Sequence, residues 1–301
     1  MQTSEEGCGL MRKTWTWSLS SYELAKTSDE QVIALCQIAG ASGLEGNAER
    51  WAGVDAAGLE RVRTMYRGAG LSIDSFHLPF TAEDDIASLY ETARRAAVAR
   101  MERSMETAAA LGVRVVIQHP STCRYAMEVE GLDRLLSQMA RSMETLLKRA
   151  EGLGLVVALE NMLPAPDGAR LGSRPEHFAA FDSAFGCAAL GFCLDTGHAL
   201  VAAGPARAGG FFDAMTKRLA AFHIQDNSGD RDLHIAPGRG LVDWGAVFAG
   251  MARIGFAHPA CIEAPPFAYG PHLTHSPAAW KQMLAEVEAL ANAALGACVR
   301  V

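Results

Sequence analysis

The chain is 301 residues long, half of them hydrophobic and a fifth charged, and 34 acidic against 27 basic residues give a formal net charge of -7. That composition fits one large globular domain with a substantial core. The negative balance argues against holding nucleic acid or an anionic membrane surface, and no run of 18 apolar residues is present to span a bilayer.

Residues 1–13 begin with a polar stretch and are expected to be a flexible extension. They contain no apolar segment of signal-peptide type, and the seven scattered cysteines form no C-x-x-C pair. The expectation is therefore a cytoplasmic protein with reduced thiols. From there short apolar runs alternate with longer segments of helical periodicity. The strand-like runs fall at 15–18, 43–45, 72–78, 114–118, 155–159, 191–194, 220–224 and 260–262. Helical segments at 29–39, 58–67, 84–111, 131–153, 175–185, 211–218, 244–254 and 277–295 fill the intervals. Gly70, Gly112, Gly154 and Gly255 stand at helix-to-strand joints, where a left-handed C-cap is expected. Eight strands alternating with eight helices predict a single-domain (β/α)₈ TIM barrel over residues 14–295. A doubly wound open sheet shares the alternation, but no G-x-G-x-x-G follows the first strand.

In such a barrel the chemistry sits at the C-terminal ends of the strands. His77, His119, Glu160, Asp195, His223 and Glu263 all fall at such ends, between 28 and 42 residues apart, about one strand–helix unit each time. They would therefore converge on one mouth. A lone histidine after a strand is commonly a hydrogen-bonding loop residue. A glutamate after Val-Val-Ala-Leu is different, because its predecessors read as buried and the charge needs a partner. Glu263 after Ala-Cys-Ile and Asp195 after Phe-Cys-Leu raise the same question. Three carboxylates and His223 at one mouth would repel without a cation. The set is rich in oxygen, which suits Mn²⁺, Mg²⁺ or Co²⁺ and leaves Zn²⁺ open. The loop after His223 holds Arg231, Asp232 and His234, more chemistry than a turn needs, while Asp243 reads as an N-cap and Trp244 as a core or staple residue.

The motifs FHLPF, HP, LEN, LDTGH, HIQDN, D-x-H-x-x-P-G-x-G and IEAP, in that order over residues 14–295, resemble the xylose isomerase-like TIM barrels. These include sugar-phosphate isomerases and epimerases, ketose 3-epimerases and endonuclease IV. The epimerase resemblance implies one divalent metal on Glu160, Asp195, His223 and Glu263, with Glu160 and Glu263 also moving the proton. It implies a substrate contact for His198, and His77, His119 and Arg231 could meet hydroxyl or phosphate groups. The endonuclease resemblance covers His77, His119, Glu160, Asp195, His198, His223, Asp232, His234 and Glu263. On that pattern His77, His119, Asp232 and His234 would hold a second metal. Gly197 within LDTGH and the IQDN run depart from the endonuclease pattern.

The resulting expectation is a metal-dependent isomerase or epimerase of a small polyhydroxylated substrate, working by proton abstraction through an enediolate. A dehydratase of the same barrel family and a phosphodiesterase acting on abasic DNA are the alternatives. A homo-oligomer is left open.

Overall fold

Eight strands close into a parallel barrel in chain order: β1 (Trp17–Ser20), β2 (Gly43–Asn47), β3 (Ser72–His77), β4 (Val115–Gln118), β5 (Val156–Glu160), β6 (Leu190–Asp195), β7 (Leu219–Ile224) and β8 (Ala260–Ile262), with β8 returning to β1. The computed structural model describes residues 15–122, 125–266 and 275–298. The expected extension at 1–13, Cys8 and Cys123 lie outside the described residues. Around the barrel run α1 (Asp29–Ala39), α2 (Ala56–Gly68), α3 (Glu91–Ala110), α4 (Met127–Glu130), α5 (Leu132–Leu153), α6 (Pro175–Phe185), α7 (Thr196–Ala203), α8 (Gly209–Met215), α9 (Trp244–Arg253) and α10 (Pro277–Cys298). Among the described residues no helix is long and apolar enough to cross a membrane.

The strands from β4 to β8 are largely apolar on both faces, whereas β1 to β3 bury Ser18, Ser20, Glu45 and Ser75, and alternation along each one sorts its side chains. Val116, Val157, Leu159, Phe192, Leu194, Phe222 and Ile224 belong to the large core shared with the helices. Ile117, Ala158, Cys193 and Ala221 form a separate small core, consistent with the barrel interior. His119, Glu160, Asp195 and His223 each lie two residues beyond one of these four, so the same period carries them to the interior at its C-terminal mouth. Small residues beneath leave room for the charged side chains above. On the outer side, fully buried Phe248 of α9 packs against Trp15 and Trp244, each at 5.6 Å between ring centroids. Truncation to alanine there is expected to cost about 3–5 kcal/mol.

Local signals explain most boundaries. Ser28 caps α1 in a capping box with Gln31, and Gly154, at φ 69°, ends α5 in the left-handed conformation and turns the chain into β5. Four expectations are corrected. The first strand lies two residues later than 15–18, because its position is set by pairing to β2 and β8. Trp15 instead donates its indole N–H to Phe256 O at 3.2 Å. The helix expected over 84–111 starts at Glu91: the Asp85 side chain accepts from Ala87 N, offering the backbone a turn in place of a helix. The segment at 211–218 ends its α-helix at Met215 and finishes as a 3₁₀ turn, Thr216–Arg218. Finally, α4 and α7 were not anticipated.

Candidate metal centre

Glu160, at the end of β5 and 1% exposed, is the hub of the mouth. Its Oε1 lies 3.2 Å from His198 Nδ1 and 3.4 Å from His223 Nδ1. Its Oε2 lies 3.3 Å from His119 Nε2 and 3.5 Å from His77 Nε2. Asp195, fully buried at the end of β6, sits in register with His223 of β7. Glu263 follows β8 and brings Oε2 to 2.9 Å from His223 Nδ1. One ligand atom each from Glu160, Asp195, His223 and Glu263 can be chosen so that all lie within 4.8 Å of one another. His77, His119 and Glu160 make a second such grouping, His198, Asp232 and His234 a third, and Glu45, His223 and Cys261 a fourth that shares His223 with the first.

A cation fits the first grouping on the strength of its unsatisfied atoms. Glu160 Oε2, Glu263 Oε2 and His223 Nδ1 are buried and none has a hydrogen bond of acceptable geometry. Buried polar atoms of this kind are rare without a reason. In the metal-free protein the histidines carry the compensating charge. Burial disfavours the His223 imidazolium, yet Cys193, Glu263, Glu45 and Glu160 together hold its pKa well above the ordinary value. Burial likewise opposes ionisation of Glu263, but His223 and His234 outweigh it and bring the carboxyl down to about 2. Asp195 goes the other way, pushed up to about 7 by burial and by Glu160 and Glu263 against the pull of His198. His119 falls to about 4, chiefly through burial, and is a neutral imidazole at pH 7.

The loop from Gln225 to Val242 is built around Asp226. Its carboxylate accepts from the main-chain N–H groups of Asn227, Gly238 and Val242 and from the Trp244 indole, at 2.8 to 3.1 Å. Trp244 is thus a buried staple, and Asp243 caps α9 through Ala246 N. This loop delivers His234, whose φ of 45° is unusual for a residue with a side chain. Its Nδ1 meets Glu263 O at 2.8 Å and its Nε2 meets Asp232 at 3.1 Å. Arg231 is exposed beside Asp232. His198 enters from the first turn of α7, which Asp195 caps by accepting from His198 N at 2.6 Å.

Residues that sequence reasoning missed complete the mouth. Glu45 of β2 is 1% exposed and reaches His223 Nε2 at 3.1 Å. Its strand was the faintest in the sequence, though a glutamate closing a buried run is the same signal that marked Glu160. Gln225 donates to both oxygens of Asp195, at 3.2 and 3.1 Å. A Cβ on residue 197 would stand 2.2 Å from Gln225 Oε1, so the glycine of LDTGH is there to admit Gln225. Tyr22 and Phe80 stack edge-on at 5.2 Å. With Glu23, Leu233, His234 and Glu263 they line a cleft of about 390 Å³, the size of a small-molecule site. A roomier cleft of about 630 Å³ lies beside α1 and α2, but its Asp29 and Arg50 are paired with each other at 2.7 Å.

A family described as "Xylose isomerase-like TIM barrel" matches residues 33–290. An uncharacterized protein of Sinorhizobium fredii is 26% identical over 229 residues, covering 69% of this chain and 71% of the relative. One from Methanocaldococcus jannaschii is 28% identical over 189 residues, 62% of each chain. Among solved structures, a D-tagatose 3-epimerase-like protein aligns with a TM-score of 0.75 at 20% identity, covering 92% of this chain and 98% of that one. An L-ribulose 3-epimerase gives 0.77 at 18%, covering 95% and 97%. A 3-keto-D-glucoside 4-epimerase from E. coli gives 0.70 at 16%, covering 92% and 100%. At such identities the likeness is one of fold.

Proposed function

The chain belongs to the xylose isomerase-like TIM barrel family, and from that premise we propose that it is a divalent-metal-dependent isomerase or epimerase of a sugar, a sugar phosphate or a polyol-derived ketone. The observation that carries this reading is the pair of carboxylates, Glu160 and Glu263, meeting at one buried imidazole with unsatisfied oxygens. Glu160, Asp195, His223 and Glu263 would hold the cation; three carboxylates and one imidazole favour Mn²⁺, Mg²⁺ or Co²⁺ over Zn²⁺. When bound, such an ion polarises a carbonyl and acidifies the neighbouring C–H.

The protein's own groups do the rest. One glutamate removes the carbon-bound proton and the other returns it. Return to the opposite face of the same carbon epimerises; return to the adjacent carbon isomerises. His198, charged because Asp195, Asp232 and Glu160 together overcome its burial, donates toward the developing enediolate oxygen. The edge-on pair Tyr22 and Phe80 gives the cleft an apolar wall beside Glu263. Several of the solved structures it resembles are epimerases by name and others are xylose isomerase domain proteins, which agrees with this chemistry. Turnover of a panel of ketoses and inososes, absent in Glu160→Gln, tests the proposal; wild-type turnover after exhaustive removal of metal would sink it.

A second reading draws on two of the other ligand groupings, His77 with His119 and Glu160, and His198 with Asp232 and His234. Loaded together with the first they would suit a multi-metal phosphodiesterase. The acidic chain disfavours a duplex, whose binding rests on several phosphate contacts. We expect no incision of abasic duplex DNA at near-physiological salt. Metal-dependent incision abolished by Glu263→Gln would reverse the preference.

A further inference from the structure

Three histidines of the mouth are anchored alike. His77, His198 and His234 turn Nδ1 to a main-chain carbonyl, that of Leu78 at 2.8 Å, Asn161 at 2.9 Å and Glu263 at 2.8 Å. Their Nε2 atoms then face Glu160 or Asp232 at 3.1 to 3.5 Å. His223 is reversed. Its Nδ1 faces Glu263 at 2.9 Å and Glu160 at 3.4 Å; its Nε2 hydrogen-bonds Glu45 Oε2 at 3.2 Å and lies 3.1 Å from Oε1, which has no hydrogen bond of acceptable geometry. Glu45 is itself held by Ser75, whose hydroxyl donates to Oε2 at 2.5 Å from the adjacent strand β3. A carboxylate 1% exposed needs donors to justify its burial, and Nε2–H of His223 joins the Ser75 hydroxyl as one at Oε2.

We infer that Glu45 is the positioning residue of the centre: it accepts the Nε2 proton of His223, fixes the ring, and directs the Nδ1 lone pair at the place shared by Glu160, Asp195 and Glu263. The inference rests on the proposed cation site. Glu45 works through the imidazole, since it meets the edge of the ring opposite the one that faces the other carboxylates. A carboxylate in this place does more than a carbonyl. Its full charge makes the imidazole a better donor to a cation, and its anchorage through Ser75 ties the ring to two strands instead of a loop. The order of construction is Ser75 on β3, Glu45 on β2, then His223 on β7.

The test titrates Zn²⁺, a diamagnetic probe, into the full-length protein in competition with a chromophoric chelator. It also records imidazole N–H protons by NMR with and without Zn²⁺. Glu45→Gln is expected to keep the wild-type circular dichroism and to bind Zn²⁺ about 10- to 100-fold more weakly. Ser75→Ala should shift affinity the same way by a smaller factor. The His223 Nε2 proton should lie downfield in the wild type, as protons shared with a carboxylate do, and move upfield in Glu45→Gln. Loosened packing alone would not move that one resonance. Should Glu45→Gln fail to fold, Ser75→Ala carries both readouts. Unchanged Zn²⁺ affinity, or no downfield His223 proton in the wild type, overturns the inference. Glu160→Gln is the control for the centre. If Zn²⁺ affinity survives that change, the cation reading fails, while the His223 proton of the metal-free protein still judges the Glu45 pairing.

Discussion

Two sets of acidic and histidine side chains meet at the mouth, one carried by strands and one by loops. Glu160, Asp195 and His223 end strands that are paired on both sides, and their side chains are at most 1% exposed. Asp232 and His234 ride a loop, and their side chains are 28% and 30% exposed. The strand set is positioned by the same hydrogen bonds that make the barrel, so its geometry costs no further ordering. The loop set depends on one buried carboxylate, Asp226, to gather its donors. The difference teaches what each set is suited to: a rigid set suits the proposed cation and proton relay, whereas an adjustable one suits contacts that must accommodate a ligand.

The sharpest way to break this division is to neutralise Glu160 of the strand set and Glu263, which directly follows β8. Glu160→Gln and Glu263→Gln should each lower turnover by about 10²–10⁴-fold, the scale of a lost acid–base group, with circular dichroism unchanged. Retention of activity within tenfold in either variant would refute their assignment. The same glutamates predict solvent exchange: reaction in D₂O should place deuterium at the reacting carbon, with internal return lowering the amount. Absence of label at every conversion, read by mass spectrometry, would point to hydride transfer instead.

Asp226→Ala attacks the loop set at its root. Leaving four donors, two of them buried, without their shared acceptor is expected to cost about 2–4 kcal/mol, measured by urea denaturation. Zn²⁺ affinity at the strand set should move by less than tenfold. A larger fall in affinity than in stability would mean that the two sets are one unit.

Much of this architecture was legible in the residues. Val-Val-Ala-Leu-Glu, Phe-Cys-Leu-Asp and Ala-Cys-Ile-Glu announce strands by their apolar runs and a centre by the charge that ends each run. What escaped did so for physical reasons. The segment Thr196–Ala203 is short and rich in Gly and Ala, without an amphipathic stripe, and becomes helical because Asp195 caps it. Glu45 lies in a Gly-flanked strand whose identity depends on pairing with β1 and β3. Gln225 was visible in HIQDN, but its purpose emerges only beside Asp195 and the bare Cα of Gly197.

A smaller effect sharpens the comparison through pH. Burial disfavours a charged His234, yet Asp232, Glu263 and Asp195 raise its pKa to about 10 in the metal-free protein. The unfolded chain releases that proton near the ordinary value of about 6.5. The stabilisation is therefore complete below pH about 6.5 and is lost as pH rises toward 10. Asp232→Asn removes the strongest support and should flatten that part of the slope, seen in urea midpoints at the two pH limits with chelator present. An unchanged slope would assign the proton elsewhere. The same variant should leave cation affinity at Glu160, Asp195, His223 and Glu263 nearly intact, because Asp232 belongs to a separate grouping.

The central claim is that Glu160, Asp195, His223 and Glu263 hold a working cation. Elemental analysis of the purified protein, after dialysis to remove loosely held ions, tests it most directly. The account predicts about one Mn, Mg or Co per chain in the wild type and almost none in Glu160→Gln. A wild type without bound divalent metal, or a metal content indifferent to Glu160→Gln, would contradict it.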